Sequence, residues 1–395
     1  RQMCIRDRGN LVLRNIAVIG AGVSGLTAGY ALKKIGLEVE IFERSQSIEE
    51  FGAGITLSKN ATLLLQDLEL MEVLSSKGYC PMGSFIRDYR KAKVIKSKKL
   101  DKNFITLDRR DLVSTLSHKF EELGGSIILD SEVEAVDLAT GEILISTQKK
   151  TYDLILICDG IKSSLRELYF DDQKPQFTKY VAWRGMTSLE DLPKFEGNDK
   201  VNVYYGPGGH CVHYPTGRGD LVNFIAIEHN VIWSEESWKI KGSKAELLES
   251  FKGWNEDLLS MFDSSQEIYK WGIFERPLPN KLYRDKCILL GDAAHPMVPF
   301  LGQGGCLAIE DAYCLMSLIK DKEDLNSIVQ EYDRLRNSRS RWIQKRSKLQ
   351  GIFNHVSNPI IARIRNFVTK IIMNNSVNKL HSYNLIKELS ELKKI

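Results

Sequence analysis

Gly20-x-Gly22-x-x-Gly25, Asp159-Gly160, Gly291-Asp292 and Gly302-Gln303-Gly304-Gly305 are the stretches in which glycines and carboxylates recur at turns that suit a ligand. The first is the richest. Residues 16–19 form an apolar run fit for a buried parallel strand. Gly20 then permits a tight turn, Gly22 lets a pyrophosphate approach the backbone, and Gly25 lets helix and strand pack closely. Val23 and Ser24 open the helix that follows, with its N-terminus aimed at the phosphates. A second strand ends at Glu43, 18 residues after Gly25, where a carboxylate is placed to accept hydrogen bonds from a ribose, with Arg44 beside it. Alone, the glycines make only a turn. With strand, helix, second strand and terminal acid in register, they predict a dinucleotide site.

Asp159-Gly160 follows a buried run, 152–159, and by itself is also an ordinary strand-to-helix turn. Asp292 ends another buried run at the carboxyl edge of a sheet, where ligands of open α/β folds bind. Its carboxylate there suits the hydroxyls of an extended polyol, or else caps a helix. Gly304 and Gly305 open a long helix facing the same crevice. Gly52-Ala53-Gly54-Ile55 brings backbone near a flat ligand. In residues 210–215 (HCVHYP), a strand places His210, Val212 and Tyr214 on one face and Cys211 and His213 on the other. His210 reads equally as a base and as a plain sheet histidine. An imidazole with its ordinary pKa of about 6.5 suits proton transfer near neutrality. Trp183 and Arg184 read as a carboxylate anchor or as a buried Trp with a paired Arg. His295 reads as a partner of the Gly-Asp loop, and His118 and His355 as structural.

These residues need an α/β frame. Helices are expected over 59–74 and from Asp108, a capping residue, to the Gly124-Gly125 stop. Strands follow at 126–129, 133–138, 142–147 and 152–159. Composition changes near Pro175. Short alternating strands at 180–187, 201–205, 210–215 and 221–227, then a Trp-rich loop, read as an antiparallel sheet inserted into the dinucleotide fold. The last 50 residues are helical, with Ile361, Ile364, Phe367 and Ile371 in a basic amphipathic helix read as a packing element rather than a membrane binder. The 395 residues allow two or three domains. A formal net charge of +4 argues against a nucleic-acid partner. Seven cysteines show no metal spacing and suit a reducing compartment, so cytoplasmic residence is expected, without metal. Residues 1–14 are polar, begin without Met and are set aside as a foreign tail.

The order GxGxxG…Glu43, Arg109-x-Asp111-Leu112, Asp159-Gly160, Gly291-Asp292-Ala293-Ala294-His295-Pro296 and Gly302-Gln303-Gly304 resembles the FAD-dependent single-component aromatic hydroxylases of the p-hydroxybenzoate hydroxylase fold. Val181-Ala182-Trp183-Arg184-Gly185, Gly209-His210-x-Val212-x-Tyr214-Pro215 and the late Arg336, Arg339, Ser347, Gly351, His355 and Arg365 favour the salicylate, 3-hydroxybenzoate and 6-hydroxynicotinate hydroxylase-like branch. The resemblance spans roughly residues 14 to 367. It implies a Rossmann-like FAD domain of the glutathione reductase type (15–78, 100–174, 279–350), an inserted antiparallel β-sheet substrate domain (79–99, 175–278) and C-terminal helices (351–395).

It further implies that Glu43 holds the adenosine ribose and that Arg109 contacts FAD near its pyrophosphate and ribityl region. Asp159 would serve FAD and the passing nicotinamide, Asp292 the ribityl chain, and Gly304 and Gly305 the flavin edge. Pro299 would lie near the reactive flavin carbon. Lys162 stands where many relatives carry His, which leaves NADH or NADPH open. The implied reaction uses NAD(P)H and O₂ to hydroxylate a small aromatic or heteroaromatic acid through a flavin hydroperoxide, in a monomer or homodimer. A flavin reductase or dehydrogenase of the same fold, a membrane-peripheral epoxidase-like enzyme and a non-catalytic flavin binder are the alternatives.

Overall fold

The computed structural model describes residues 13–48, 53–192, 197–229, 240–322, 324–372 and 374–393. Gly52, the Trp-rich loop and residues 1–12 of the expected tail lie outside them. Leu13 and Arg14, set aside with that tail, belong to the fold. Leu13 is buried, and the amide of Arg14 donates to Asp153 Oδ2 at 2.7 Å.

The frame is a six-stranded sheet in the order Tyr283–Arg284, Cys287–Leu289, Leu154–Ile157, Asn15–Ile19, Glu38–Phe42, Ser126–Ile128. All neighbours are parallel except the first pair, a hairpin. Its central strands, Asn15–Ile19 and Leu154–Ile157, are buried along almost their whole length within the main core. The register aligns Ile16 with both Val39 and Leu154, so Gly20, Glu43 and Asp159 all leave the sheet at its carboxyl edge. The helix Val23–Lys34 packs on Gly304–Asp321 through fully buried residues such as Leu26, Ala31 and Ile309.

The second layer is an eight-stranded sheet in the order Ile240–Lys241, Ile268–Glu275, Gln176–Ser188, Leu221–His229, Gly209–Thr216, Val201–Gly206, Gly83–Asp88, Val94–Lys99. It is antiparallel except where Val201–Gly206 runs parallel to Gly83–Asp88. That pairing arises because the chain adds Gly83–Asp88 early and returns to the sheet only after building most of the frame. One face packs on two short helices through Trp183, Phe224, Phe251 and Phe262. The other faces the frame.

Two helical expectations change and one holds. The helix expected over 59–74 is two, Lys59–Asp67 and Met71–Lys77, because Glu69 at φ 63° turns the chain so that Leu68 and Leu70 are both buried. Asp108 caps Arg109–Glu122 as expected, accepting from Arg110 N. The helix Pro359–Ile372 is not a packing element in the expected sense. It turns Arg365 and Thr369 inward and leaves Ile360, Ile361, Ile364, Phe367 and Ile371 exposed.

Candidate active site

The glycine turn is fixed from three sides. Gly20 has φ +104°, and a Cβ there would collide with the carbonyl of Cys158. A Cβ on Gly25 would overlap the carbonyl of Gly20. Glu43 anchors the turn, its Oε2 accepting from Ala21 N at 2.8 Å and its Oε1 from Ser45 N at 2.9 Å. Arg44 is exposed beside it. Gly22 differs: a Cβ there meets nothing within 4 Å. The same is true of Gly160 and Gly304. Three glycines from three segments thus face open space.

That space is a cavity of about 490 Å³ running from the frame to the second sheet. Its frame wall carries Gly22, Val23, Ser24, Arg109, Gly160 and Asp292. Gly54, Ile55, Pro299, Gly304 and Gly305 form its waist. Asp292 lies in the one-turn helix Gly291–Ala293, and its carboxylate is exposed toward the cavity rather than capping a helix. The first-turn amides of Val23–Lys34 and Gly304–Asp321 both point into this region. Asp159 is set back from the wall. Burial pushes its carboxyl up to about 6, and its Oδ1 has no hydrogen-bond partner among the described residues.

A buried ionic cluster holds the two loops. Asp311 Oδ2 accepts from Gly291 N at 2.9 Å and pairs with His295 Nε2 at 2.5 Å, while Arg336 Nε donates to Asp311 Oδ1 at 2.7 Å. Arg336 and Arg339 also pair with Glu310. Asn60 bridges Glu310 and Gln303, at 2.7 and 3.1 Å. Burial alone would raise both acids, but the facing cations win and hold Glu310 and Asp311 below the usual carboxylate range. His295 is therefore the expected partner of the Gly-Asp loop. The cluster itself was not foreseen, although the acids and arginines stand at helical spacing in the sequence.

The sheet wall bears out the expected strand face. His210, Val212 and Tyr214 line the cavity, whereas Cys211 and His213 lie behind it, His213 stacked on Tyr204. Trp183 also lies behind, donating to Glu228 Oε1 at 2.9 Å, which settles it as a packing residue. Arg184 lines the cavity, its guanidinium 4.9 Å from the Trp271 ring centre. His355 corrects the expectation. It ends the helix Leu325–Asn354 with its Nε2 2.6 Å from His210 Nδ1, both rings buried beside Phe300. The ordinary histidine pKa therefore does not apply. Burial, then the neighbouring His355, push His210 well below 6.5, and burial pushes His355 down to about 3. Tyr214 is pushed up to about 12 by burial, so it keeps its proton. Beyond Tyr214 the cavity continues over Val203 and Ile86 to Lys98, about 14 Å away across three strand spacings.

Residues 14–344 match the family model described as an FAD binding domain. The chain belongs to this family. It is an FAD-dependent monooxygenase. Among its relatives, 3-amino-4-hydroxybenzoate 2-monooxygenase PtnB3 of Streptomyces platensis is 29% identical over 364 residues, 89% of this chain and 91% of that protein. The 3-hydroxybenzoate 6-hydroxylase 1 of Aquipseudomonas alcaligenes is 28% identical over 366 residues, covering 89% and 92%. A salicylate hydroxylase substrate complex superposes with a TM-score of 0.83 at 23% identity, over 96% of this chain and 97% of that one, which supports the fold. The cavity of the monooxygenase fits FAD. Open glycines stand where a ligand approaches backbone, two helix N-termini suit phosphate and an electron-rich ring, and Asp292 and Asp159 offer unengaged carboxylate oxygens.

Proposed function

We propose that this monooxygenase uses NADH or NADPH and O₂ to hydroxylate a small aromatic or heteroaromatic acid. The observation that carries the reading is the single cavity joining the glycine cradle to the sheet face of His210, Tyr214 and Arg184. Bound FAD supplies the redox chemistry, accepting hydride and delivering one oxygen atom of O₂ to an electron-rich ring. In this reading Gly22, Val23, Ser24 and Gly25 hold the pyrophosphate, with Arg109 beside it, and Glu43 and Arg44 the adenosine side. Asp292 holds the ribityl chain, while Gly54, Ile55, Gly304 and Gly305 flank the ring. Asp159 and Gly160 face FAD and the visiting nicotinamide, and Pro299 and Phe300 close the waist. The absence of a second GxGxxG in the sequence supports a transient hydride donor.

The apolar wall of Ile225, Ile227, Trp271 and Ile273 excludes water from the reacting ring. Arg184 favours the anionic form of the substrate hydroxyl, which makes the ring nucleophilic. Tyr214, kept protonated, donates a hydrogen bond to it. His210 turns Nδ1 to His355 and offers Nε2 to the substrate as a neutral acceptor. Lys98, half-buried and with its pKa lowered by burial and then by Lys96, matches the acid group of a substrate long enough to reach it. Division of the chain into cofactor segments (15–78, 100–174, 279–350) and substrate segments (79–99, 175–278) is part of the proposal. So is cytoplasmic residence, where NAD(P)H is supplied, as monomer or homodimer. The test is NAD(P)H oxidation with a panel of hydroxybenzoates, hydroxynicotinates, uric acid and quinolones, with O₂ uptake and product measured together. Hydroxylated product supports the reading. NAD(P)H consumption that yields only hydrogen peroxide with every compound refutes this substrate class.

A further inference from the structure

The helix Pro359–Ile372 is inverted relative to a packing helix. Its inward face is polar. Arg365 donates to the carbonyl of Asn354 at 3.0 Å and lies 4.8 Å from the Tyr205 ring centre, and Thr369 is fully buried. Its outward face is apolar, with Ile360 70%, Ile364 58%, Phe367 64% and Ile371 62% exposed. Ile352 and Leu349, on the last turns of the preceding helix, are also exposed. An exposed apolar stripe of this kind marks a binding surface.

Charge decides what binds. From Arg334 to Lys387 inclusive the sequence has twelve Lys and Arg residues and no Asp or Glu; Arg336 and Arg339 are taken up by Glu310 and Arg365 is buried, which leaves nine. Arg363 and Lys370 are exposed along one edge of the apolar stripe. Two copies meeting face to face would bring these like charges together. An anionic surface neutralises them instead. No helix among the described residues is long and apolar enough to cross a membrane, so the contact lies in the plane of the interface. We propose that this helix docks the enzyme on an anionic lipid surface, with its isoleucines and Phe367 among the acyl chains and its basic edge at the headgroups. The helix also adjoins the cavity. Lys96, which lines the cavity, donates to the carbonyl of Lys370 at 3.0 Å. Docking therefore sets the Lys96–Lys98 end of the cavity near the lipid.

The test uses the FAD-loaded full chain with vesicles of phosphatidylcholine alone and of phosphatidylcholine mixed with phosphatidylglycerol. The parent should co-float with the mixed vesicles at low salt and release as salt is raised. The double variant Ile364→Asp, Phe367→Asp changes only exposed positions, so FAD content and circular dichroism should be those of the parent. It should bind mixed vesicles at least a hundredfold more weakly, since two large side chains are lost from the layer. Sedimentation velocity without vesicles gives the competing result. A parent that ignores mixed vesicles at low salt overturns the proposal. So does a parent dimer that the double variant turns into monomer, because a second copy then covers the face.

Discussion

Replacing Gly22 by valine separates what the fold needs from what the ligand needs. Gly22 has φ −80° and ψ −174°, extended backbone that any residue adopts, and an added Cβ meets no protein atom within 4 Å. The apoprotein should therefore fold as well as the parent, or gain the roughly 0.4–1 kcal/mol typical of removing a glycine at a compatible position. The added methyls would stand where the pyrophosphate meets the first-turn amides. Displacing the phosphates from two such charge-assisted hydrogen bonds costs about 3–6 kcal/mol, or roughly 10²–10⁴ in Kd. Urea unfolding and FAD titration of the apoprotein measure the two quantities independently. Gly25→Val is the contrast, since its side chain overlaps the Gly20 carbonyl and should prevent folding. A Gly22→Val protein that binds FAD within tenfold of the parent would falsify the placement of the cofactor.

Asp292→Ala should weaken FAD about ten- to hundredfold with the unfolding midpoint unchanged, by losing one charge-assisted hydrogen bond; unchanged affinity with lost stability points to a purely structural carboxylate. Asp311→Ala leaves Arg336 facing one acid fewer in a fully buried cluster, and a cost of about 3–5 kcal/mol is expected by urea unfolding. For Asp159 the folded pKa, about 6, lies above the ordinary carboxylate value, so its contribution favours folding below about pH 4 and is lost as pH rises through 6. The apoprotein of Asp159→Asn should thus gain on the parent as pH rises from about 4 to 6 and keep that gain above it, by at most about 3 kcal/mol, and an identical pH profile for the two counts against the buried carboxyl. His210→Ala and Tyr214→Phe should keep FAD and flavin reduction while slowing hydroxylation about 10²–10⁴-fold and releasing peroxide, and full coupling in both would leave them ordinary sheet residues.

The frame was legible because its signals are local. Gly20 to Glu43 contains strand, turn, helix and acid in one stretch, and the strand face of His210 and Tyr214 follows from a period of two. What escaped depends on distant partners. Nothing near His355 in the sequence says that it meets His210, 145 residues away, or that the pair lies buried enough to lose the ordinary histidine pKa. The ionic cluster joins Asn60 to Glu310 across 250 residues. Trp183 and Arg184 were ambiguous because a strand always sends neighbours to opposite faces, and only the packing says which face is the cavity. The helix Pro359–Ile372 misled for the opposite reason. Its amphipathic pattern is plain, but periodicity does not say which side meets the protein.

The parallel pairing of Gly83–Asp88 with Val201–Gly206 has a consequence for how the chain reaches this structure. Arg87 Nε reaches Asn202 Oδ1 at 2.9 Å, closing a loop of 115 residues that contains two of the frame's six strands, Ser126–Ile128 and Leu154–Ile157. The early edge of the eight-stranded sheet therefore waits, unpaired on one side, until the later strands have been made and folded. Residues 175–278 excised as a fragment would lack that edge. Long-range closure of this kind is entropically slow. Refolding of the whole chain should show a late phase in which the frame is already protected from hydrogen exchange while the amides of Val201–Gly206 are not.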